Sequence, residues 1–308
     1  MKQVVMITGA GTGIGALASR TLAHAGHSVY ATMRAPDGRN AERATALRDA
    51  GAGAAGELRV IELDVLSEQS AAAAASRVVD EQGRIDVIVH NAAHLFFGFT
   101  EAFTPEQVID AYNTNTVGAL RVNRAVLPVM RRQGAGLLLW VGSGTTRAIP
   151  PFLGPYAAAK AAFDAFAEST AWDVEALGIE TTILHAGVFT SGTEHFAAAA
   201  FAADGDRVAE YDGTPASQRL ASSAEDTERL FAPGTTGDPQ IVADEILRIV
   251  DLEPRTRPRR TAADSSDYGA EIINGAAEEL RLRLARRMQL TDLLAGEHRA
   301  IPPAASAR

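Results

Sequence analysis

A short apolar run, Gln3 to Thr8 (QVVMIT), passes directly into GAGTGIG, with glycines at Gly9, Gly11, Gly13 and Gly15. Beyond them ALASRTLAHAG has helical apolar spacing, with Ile14, Leu17, Ala18 and Leu22 on one side. A buried strand, a glycine turn and a helix in that order make a βα unit, and such units stack into a parallel sheet with helices on its faces. The turn has a chemical consequence as well. Its bare backbone lets a diphosphate approach, and the helix N-terminus favours the negative charge. A tight turn with small residues for helix packing is the simpler alternative, but this strand–turn–helix context is the one a dinucleotide site requires.

The alternation continues along the chain. Ser28 to Met33 (SVYATM) reads as a second strand, Leu58 to Leu63 (LRVIEL) as a third, Asp86 to His90 (DVIVH) as a fourth, Leu137 to Val141 (LLLWV) as a fifth and Ile179 to Leu184 as a sixth. Between them an alanine-rich helix is expected from about Ser67 to Gln82. Another opens at Thr104–Pro105–Glu106, an N-cap followed by a proline and an acid, and runs toward Arg132 with Pro128 kinking or tightening its end. A further helix is expected to run to about Leu177. No polar linker interrupts the pattern before about Thr190, so the expectation is an α/β doubly wound parallel sheet in a single domain of 308 residues. Strand ends then gather Gly9, Asp64, Asn91, Ser143 and Ala186 on one edge, where ligands of open parallel sheets bind.

Composition narrows the chemistry. With no cysteine, disulfides, thiolate metal sites and thiol catalysis are excluded, and the histidines show no HExxH or comparable ligand spacing, so no metal is expected. A formal charge of −9 argues against nonspecific nucleic-acid binding. No apolar stretch approaches the ~20 residues that span a bilayer, and the first strand starts without a signal-peptide pattern. No membrane association and cytoplasmic residence are the expectations. Arginines cluster late, at Arg255, Arg257, Arg259 and Arg260, then at Arg281, Arg283, Arg286 and Arg287. A solvated loop and helix face is the expected reading, with a subunit contact as the sharper one.

Within GPYAAAK, Tyr156 and Lys160 stand one helical turn apart on the same face. A phenol titrates near ~10, too high for proton exchange at neutral pH unless a neighbouring ammonium favours the phenolate. Ser143, on a separate segment upstream, can orient and polarise the oxygen that receives the proton. Asn115, inside a helical run, is a mild helix cost by itself.

Taken together, TGAGTGIG at Thr8–Gly15, Asp64–Val65, NAA at Asn91–Ala93, NTVG at Asn115–Gly118, Ser143, YAAAK at Tyr156–Lys160 and AGVFT at Ala186–Thr190 resemble the short-chain dehydrogenase/reductase family in order and spacing. The resemblance covers about two thirds of the chain. It implies a Rossmann-type three-layer α/β/α fold with an extended substrate lid at about 190–238 and a C-terminal extension at about 252–308. It also implies an oxidoreductase that interconverts a carbonyl and a secondary alcohol. Tyr156 would exchange the proton, Lys160 would lower the phenol's pKa and bind the nicotinamide ribose, Ser143 would hold the substrate oxygen, and Asn115 would anchor a water leading to Lys160. Cofactor contacts would come from Gly9, Gly11, Thr12, Gly13, Ile14 and Gly15, from Arg34, Asp64 and Val65, from Asn91, Ala92 and Ala93, and from Gly187, Val188 and Thr190, besides Tyr156 and Lys160. The chain departs from the family's commoner pattern at Ala93, at Gly142, where a second serine often stands, and at Ala186, which replaces a proline.

An acid at the end of the second strand binds the ribose diol of NAD, whereas a basic residue accommodates the 2′-phosphate of NADP. Met33 is followed by Arg34, with Arg39 nearby, so NADP(H) is favoured over NAD(H). Phe196, Phe201, Leu220, Leu230 and Phe231 of the lid either close over an apolar substrate or pin short helices to the body. His94, Leu95, Phe96 and Phe97 can line the pocket, and an amphipathic helix is expected from about Ser266 to Leu294. The YATMR run and the late arginines loosely resemble members near the hydroxysteroid dehydrogenases. A small-molecule carbonyl or alcohol is the expected partner. A homodimer or homotetramer is also expected, through the helix carrying Phe163 and Phe166. Two other functions fit parts of the pattern: a nonenzymatic NADP(H)-sensing protein on the same fold, and a sugar-nucleotide epimerase or dehydratase that shares Y-x-x-x-K.

Overall fold

A computed structural model describes residues 1–231, 237–266 and 269–294. Parts of the expected lid and of the C-terminal extension therefore lie outside the described residues. The first half comprises β1 (Val4–Ile7), α1 (Gly13–His24), β2 (Ser28–Met33), α2 (Ala41–Ala50), β3 (Glu57–Glu62), α3 (Glu68–Gln82) and β4 (Val87–His90). A short β5 (Phe96–Phe97) precedes α4 (Pro105–Tyr112), a π-helical segment (Asn113–Val117) and α5 (Gly118–Gln133). Then come β6 (Gly136–Ser143), α6 (Gly154–Val174) and β7 (Ile179–Ala186). The last third holds β8 (Ala200–Phe201), α7 (Gly205–Ala209), α8 (Pro215–Ala221), α9 (Ser223–Glu228), α10 (Gln240–Asp251), β9 (Arg260–Ala263) and α11 (Ala270–Met288).

Seven parallel strands lie in the order β3-β2-β1-β4-β6-β7-β9. Strand residues alternate between two cores, which is why the central runs are predominantly apolar. Val5, Ile7, Val87, Val89, Leu137 and Leu139 pack with residues of α1, α2 and α10. Val4, Met6, Ile88, Leu138 and Trp140 pack on the other face with residues of α3, α5 and α6. The result is the expected three-layer α/β/α arrangement. Chain order reverses between β1 and β4, and the carboxyl ends of these strands open a crevice there.

Local signals hold well in the first two thirds. Ser67 caps α3 by accepting from the Ser70 amide, and Thr104 and Gln107 form a reciprocal capping box at α4 with Pro105 at its start. Pro128 sits inside α5 without ending it, since the helix continues to Gln133. Ser143 is the last residue of β6 rather than a residue beyond it.

The C-terminal third departs from expectation. Residues 260–263, within the presumed extension, form the seventh strand of the main sheet and pair with β7. Of the arginines around them Arg255 is exposed as expected, but the other three are not a solvated face. Arg257 pairs with Glu180 at 2.5 Å, Arg260 with Glu168 at 3.0 Å and Arg259 with Glu175, with the arginine side chains only 6%, 10% and 8% exposed. Acids on α6 and β7 lie opposite this run and take up its charge. Arg281 is buried as well, over the Trp172 ring and paired with Glu278, while Arg283 and Arg287 are exposed. Phe163 is core, edge-on to Trp140 at 4.8 Å, and only Phe166 of that pair reaches the surface.

The lid is docked by specific contacts. β8 pairs with β5 in a small second sheet, and Gln107 bonds the Phe201 carbonyl at 2.8 Å and the Ala203 amide at 3.0 Å. Glu101 holds Arg207 and Tyr211, whose ring stacks on Phe99 at 4.0 Å. Among the described residues no helix is long and apolar enough to cross a membrane.

Candidate active site

Two segments build the floor of the crevice. Thr8 directly follows β1, and its hydroxyl accepts from the Asn91 and Ala92 amides at 3.0 and 3.1 Å while donating to the Val89 carbonyl. Asn91 returns its side-chain amide to the Thr8 and Gly9 carbonyls at 2.9 and 3.1 Å. This clasp needs a bare backbone around it. A Cβ on Gly15 would lie 2.5 Å from both the Asn91 amide nitrogen and the Gly9 oxygen. Gly9 adopts a φ of 66° and would meet Ala92 Cα at 2.7 Å. Thr12 precedes α1 without a side-chain cap, so the amides of its first turn remain available to an anion.

The proton-transfer side is formed by the end of β6 and the start of α6. Lys160 donates to the Val141 carbonyl at 2.9 Å and lies 4.6 Å from the Phe163 ring centre. Ser143 accepts from the Thr145 amide and hydroxyl at 3.3 and 3.0 Å. Tyr156 is 6% exposed among Leu95, Phe96, Phe103 and Leu153. Burial pushes its phenol up to about 12, opposed by the hydrogen bond to Ser143. Burial pushes Lys160 down to about 8, against the Asp164 carboxylate that favours its charge. Loss of water outweighs the expected lowering of the phenol in this structure. Each group is driven toward its neutral form by loss of water, and the ammonium is held by Val141 instead.

Asn115 lies in the π-helical segment, as a residue that disturbs the ladder would. Its side chain accepts from the His94 amide at 2.7 Å and donates to the His94 carbonyl at 2.9 Å. It therefore fastens the strand-end loop to this helix and does not line the cavity.

One cavity of about 740 Å³ joins these parts. Of the expected residues, Gly9, Gly11, Thr12, Gly13, Ile14, Arg34, Asp64, Val65, Asn91, Ala92, Ala93, Ser143, Tyr156, Lys160, Gly187 and Val188 line it. Gly15 supports from behind, and Thr190 is exposed away from the wall, with Phe189 lining it instead. Arg34 is joined by Asn40 and Arg43, not by Arg39. Arg43 pairs with Glu194 of the lid at 2.6 Å. His94, Leu95, Phe97, Phe196 and Leu230 also line the cavity, whereas Phe96, Phe201, Leu220 and Phe231 do not.

Three contributors escape the sequence pattern. Thr8 is legible only as the head of the glycine motif, and Arg43 carries no signal beyond its charge. His195 of the lid stands edge-on to Tyr156 at 5.4 Å, and burial, then Lys160 and His94, push its imidazole down to about 4. Burial thus favours the neutral imidazole beside the phenol.

Comparison with known proteins agrees with this architecture. The family model described as short chain dehydrogenase matches residues 3–202. A 3-ketodihydrosphingosine reductase of Bacteroides thetaiotaomicron is 32% identical over 191 residues, which are 62% of this chain and 65% of that protein. The 17-beta-hydroxysteroid dehydrogenase type 1 of Homo sapiens is 37% identical over 191 residues, 60% of this chain and 56% of that protein. The chain thus spans less than two thirds of the length of these relatives. The crystal structure of a short-chain dehydrogenase from Streptomyces avermitilis is 26% identical, with a TM-score of 0.68 over 94% of this chain and 98% of that one.

Proposed function

The chain belongs to the short-chain dehydrogenase family, and on that premise we propose that it is an NADP(H)-dependent oxidoreductase interconverting a carbonyl and a secondary alcohol. The observation that carries the reading is the meeting of Ser143, Tyr156 and Lys160 with the glycine turn in one cavity. When bound, the nicotinamide supplies the hydride. The protein supplies the proton and the geometry. A phenol at about 12 stays protonated through the working pH range and can donate to a carbonyl oxygen. Ser143 polarises that oxygen, and Lys160, charged below about 8, stabilises the phenolate left after donation.

The fit to NADP(H) rests on the residues present. The uncapped first turn of α1 and Gly11 and Gly13 would hold the diphosphate. Arg34 and Arg43 flank the end of β2, where a 2′-phosphate would need cations, and no carboxylate follows Met33 to hold a ribose diol. The substrate side is apolar, with Leu95, Phe97, Phe152, Leu153, Phe196 and Leu230 around two histidines. A bulky apolar ketone or alcohol suits that lining, in keeping with the names of the two relatives. We read the chain as one catalytic domain, residing in the cytoplasm and assembling as a homo-oligomer.

A panel of ketones and secondary alcohols, followed by NADPH absorbance with NADH in parallel, tests the reading. NADPH consumption with an apolar ketone is expected. Binding of NADPH without turnover of any panel member would instead favour the cofactor-sensing function. Arg34→Ala should weaken NADPH more than NADH; equal weakening would refute the cofactor assignment.

A further inference from the structure

Behind the wall that carries Ser143 and Lys160 lies a buried polar cluster drawn from separate parts of the chain. Arg147 follows Ser143 in the loop after β6, Asp164 stands one helical turn beyond Lys160 on α6, His185 precedes Ala186–Gly187 on β7, and Asn274 comes from α11. Asp164 Oδ2 accepts from Arg147 Nη2 at 2.7 Å and lies 3.0 Å from His185 Nε2. Arg147 Nε donates to Asn274 Oδ1 at 3.0 Å, and Asn274 Nδ2 lies 3.2 Å from His185 Nδ1. The side chains of His185, Asp164 and Arg147 are 0%, 8% and 12% exposed.

Hydrogen-bond chemistry orients the Asn274 amide. A guanidinium can only donate, so Asn274 must face Arg147 with its oxygen and His185 with its amide nitrogen. His185 Nδ1 then accepts from Asn274 and Nε2 faces Asp164 Oδ2, with Arg147 Nη2 also 2.9 Å from that Nε2, so guanidinium and imidazole converge on one carboxylate oxygen. Oδ1 of the same carboxylate is buried without a hydrogen-bond partner. A Cβ on Gly142 would lie 3.2 Å from that free oxygen. The charged groups facing Asp164 are Lys160, Arg147 and Arg260, and Arg260 is itself paired with Glu168 at 3.0 Å.

We propose that Arg147, Asp164, His185 and Asn274 form a positioning cluster that locks together the segments bearing Ser143, Lys160 and Gly187, with the Asp164 carboxylate as a buried counter-charge one helical turn from Lys160 and Asn274 clamping the cluster from the C-terminal helix. Asn274 lies beyond the residues matched by the family model, so α11 serves as part of the active-site scaffold. The inference rests on the dehydrogenase reading for its consequence on turnover, but its electrostatic half can be measured without turnover.

Lys2 and Lys160 are the only lysines in the chain, so labelling lysine with ¹³C at Cε yields one buried signal to titrate by NMR. Asp164→Asn is expected to move the Lys160 midpoint down by about one pH unit, with the alkaline limb of ketone reduction following it. An unmoved midpoint overturns the charge role. Should that variant not fold, Arg147→Gln reads the same field with the opposite sign, and a midpoint that fails to rise overturns it equally. Asn274→Ala keeps every charge and is expected to lower kcat roughly tenfold while the KM for NADPH stays within about twofold. Wild-type kcat in that variant overturns the scaffold role of α11. Failure of the wild-type chain to turn over any ketone counts against the dehydrogenase reading alone, because the lysine titration still reports on the cluster.

Discussion

Replacing Tyr156 by Phe separates the chemistry of the phenol from its packing. The ring is 6% exposed and packed among Leu95, Phe96, Phe103 and Leu153, and a phenylalanine keeps all of that apolar contact. What is lost is the hydroxyl and its hydrogen bond to Ser143. A bond of that kind is worth about 0.5–1.5 kcal/mol net. Ser143 retains both contacts to Thr145, so the loop keeps its shape. The melting temperature should therefore move by no more than about 5 °C, and the Kd for NADPH, followed by fluorescence, should stay within about twofold. Loss of a positioned general acid removes a factor of roughly 10²–10⁴. At about 1.36 kcal/mol per decade this corresponds to about 2.7–5.5 kcal/mol of transition-state stabilisation. The effect on kcat thus exceeds the effect on stability several-fold, and the two are measured independently. A variant that reduces the best ketone at more than about one tenth of the wild-type kcat would refute the assignment of Tyr156 as proton donor.

Other consequences follow from the same geometry. Lys160 should titrate near about 8 in the isolated chain, and ketone reduction should decline as pH rises through that value, because the ammonium is present below it and lost above it. A first alkaline limb beyond pH ~10 would contradict this sign and origin. Gly15→Ala places a methyl against Asn91 and the Gly9 carbonyl at 2.5 Å. Overpacking of about 1–3 kcal/mol is expected in urea unfolding, with weakened NADPH binding, and an unaffected variant would show that the clasp is not rigid. Arg259→Met strands the buried Glu175 and should cost about 3–5 kcal/mol, much of it recovered when Glu175→Leu is added. Non-recovery in the double variant would show that the pair itself, not its burial, stabilises the C-terminal edge.

Much of this molecule was determined by the sequence alone. The β1–turn–α1 unit, the apolar-rich strand runs, the N-cap at Thr104 and the gathering of Gly9, Asn91 and Ser143 at strand ends all follow from neighbours in the chain. Periodicity, capping and glycine freedom are properties of a few consecutive residues, so they can be read without knowing what lies across the fold. Charge burial cannot. Whether Arg257, Arg259 and Arg260 face water or an acid depends on β9 pairing with β7 beside α6, and whether Phe163 is an interface or core depends on Trp140 beneath it. The same holds within the site. Arg43, His195 and Asn274 acquire a role only when α2, the lid and α11 bring them against Glu194, Tyr156 and His185. Sequence spacing put Tyr156 and Lys160 on one face of one helix, but tertiary structure removed the water around them. That desolvation, which no local pattern encodes, shifts both toward their neutral forms.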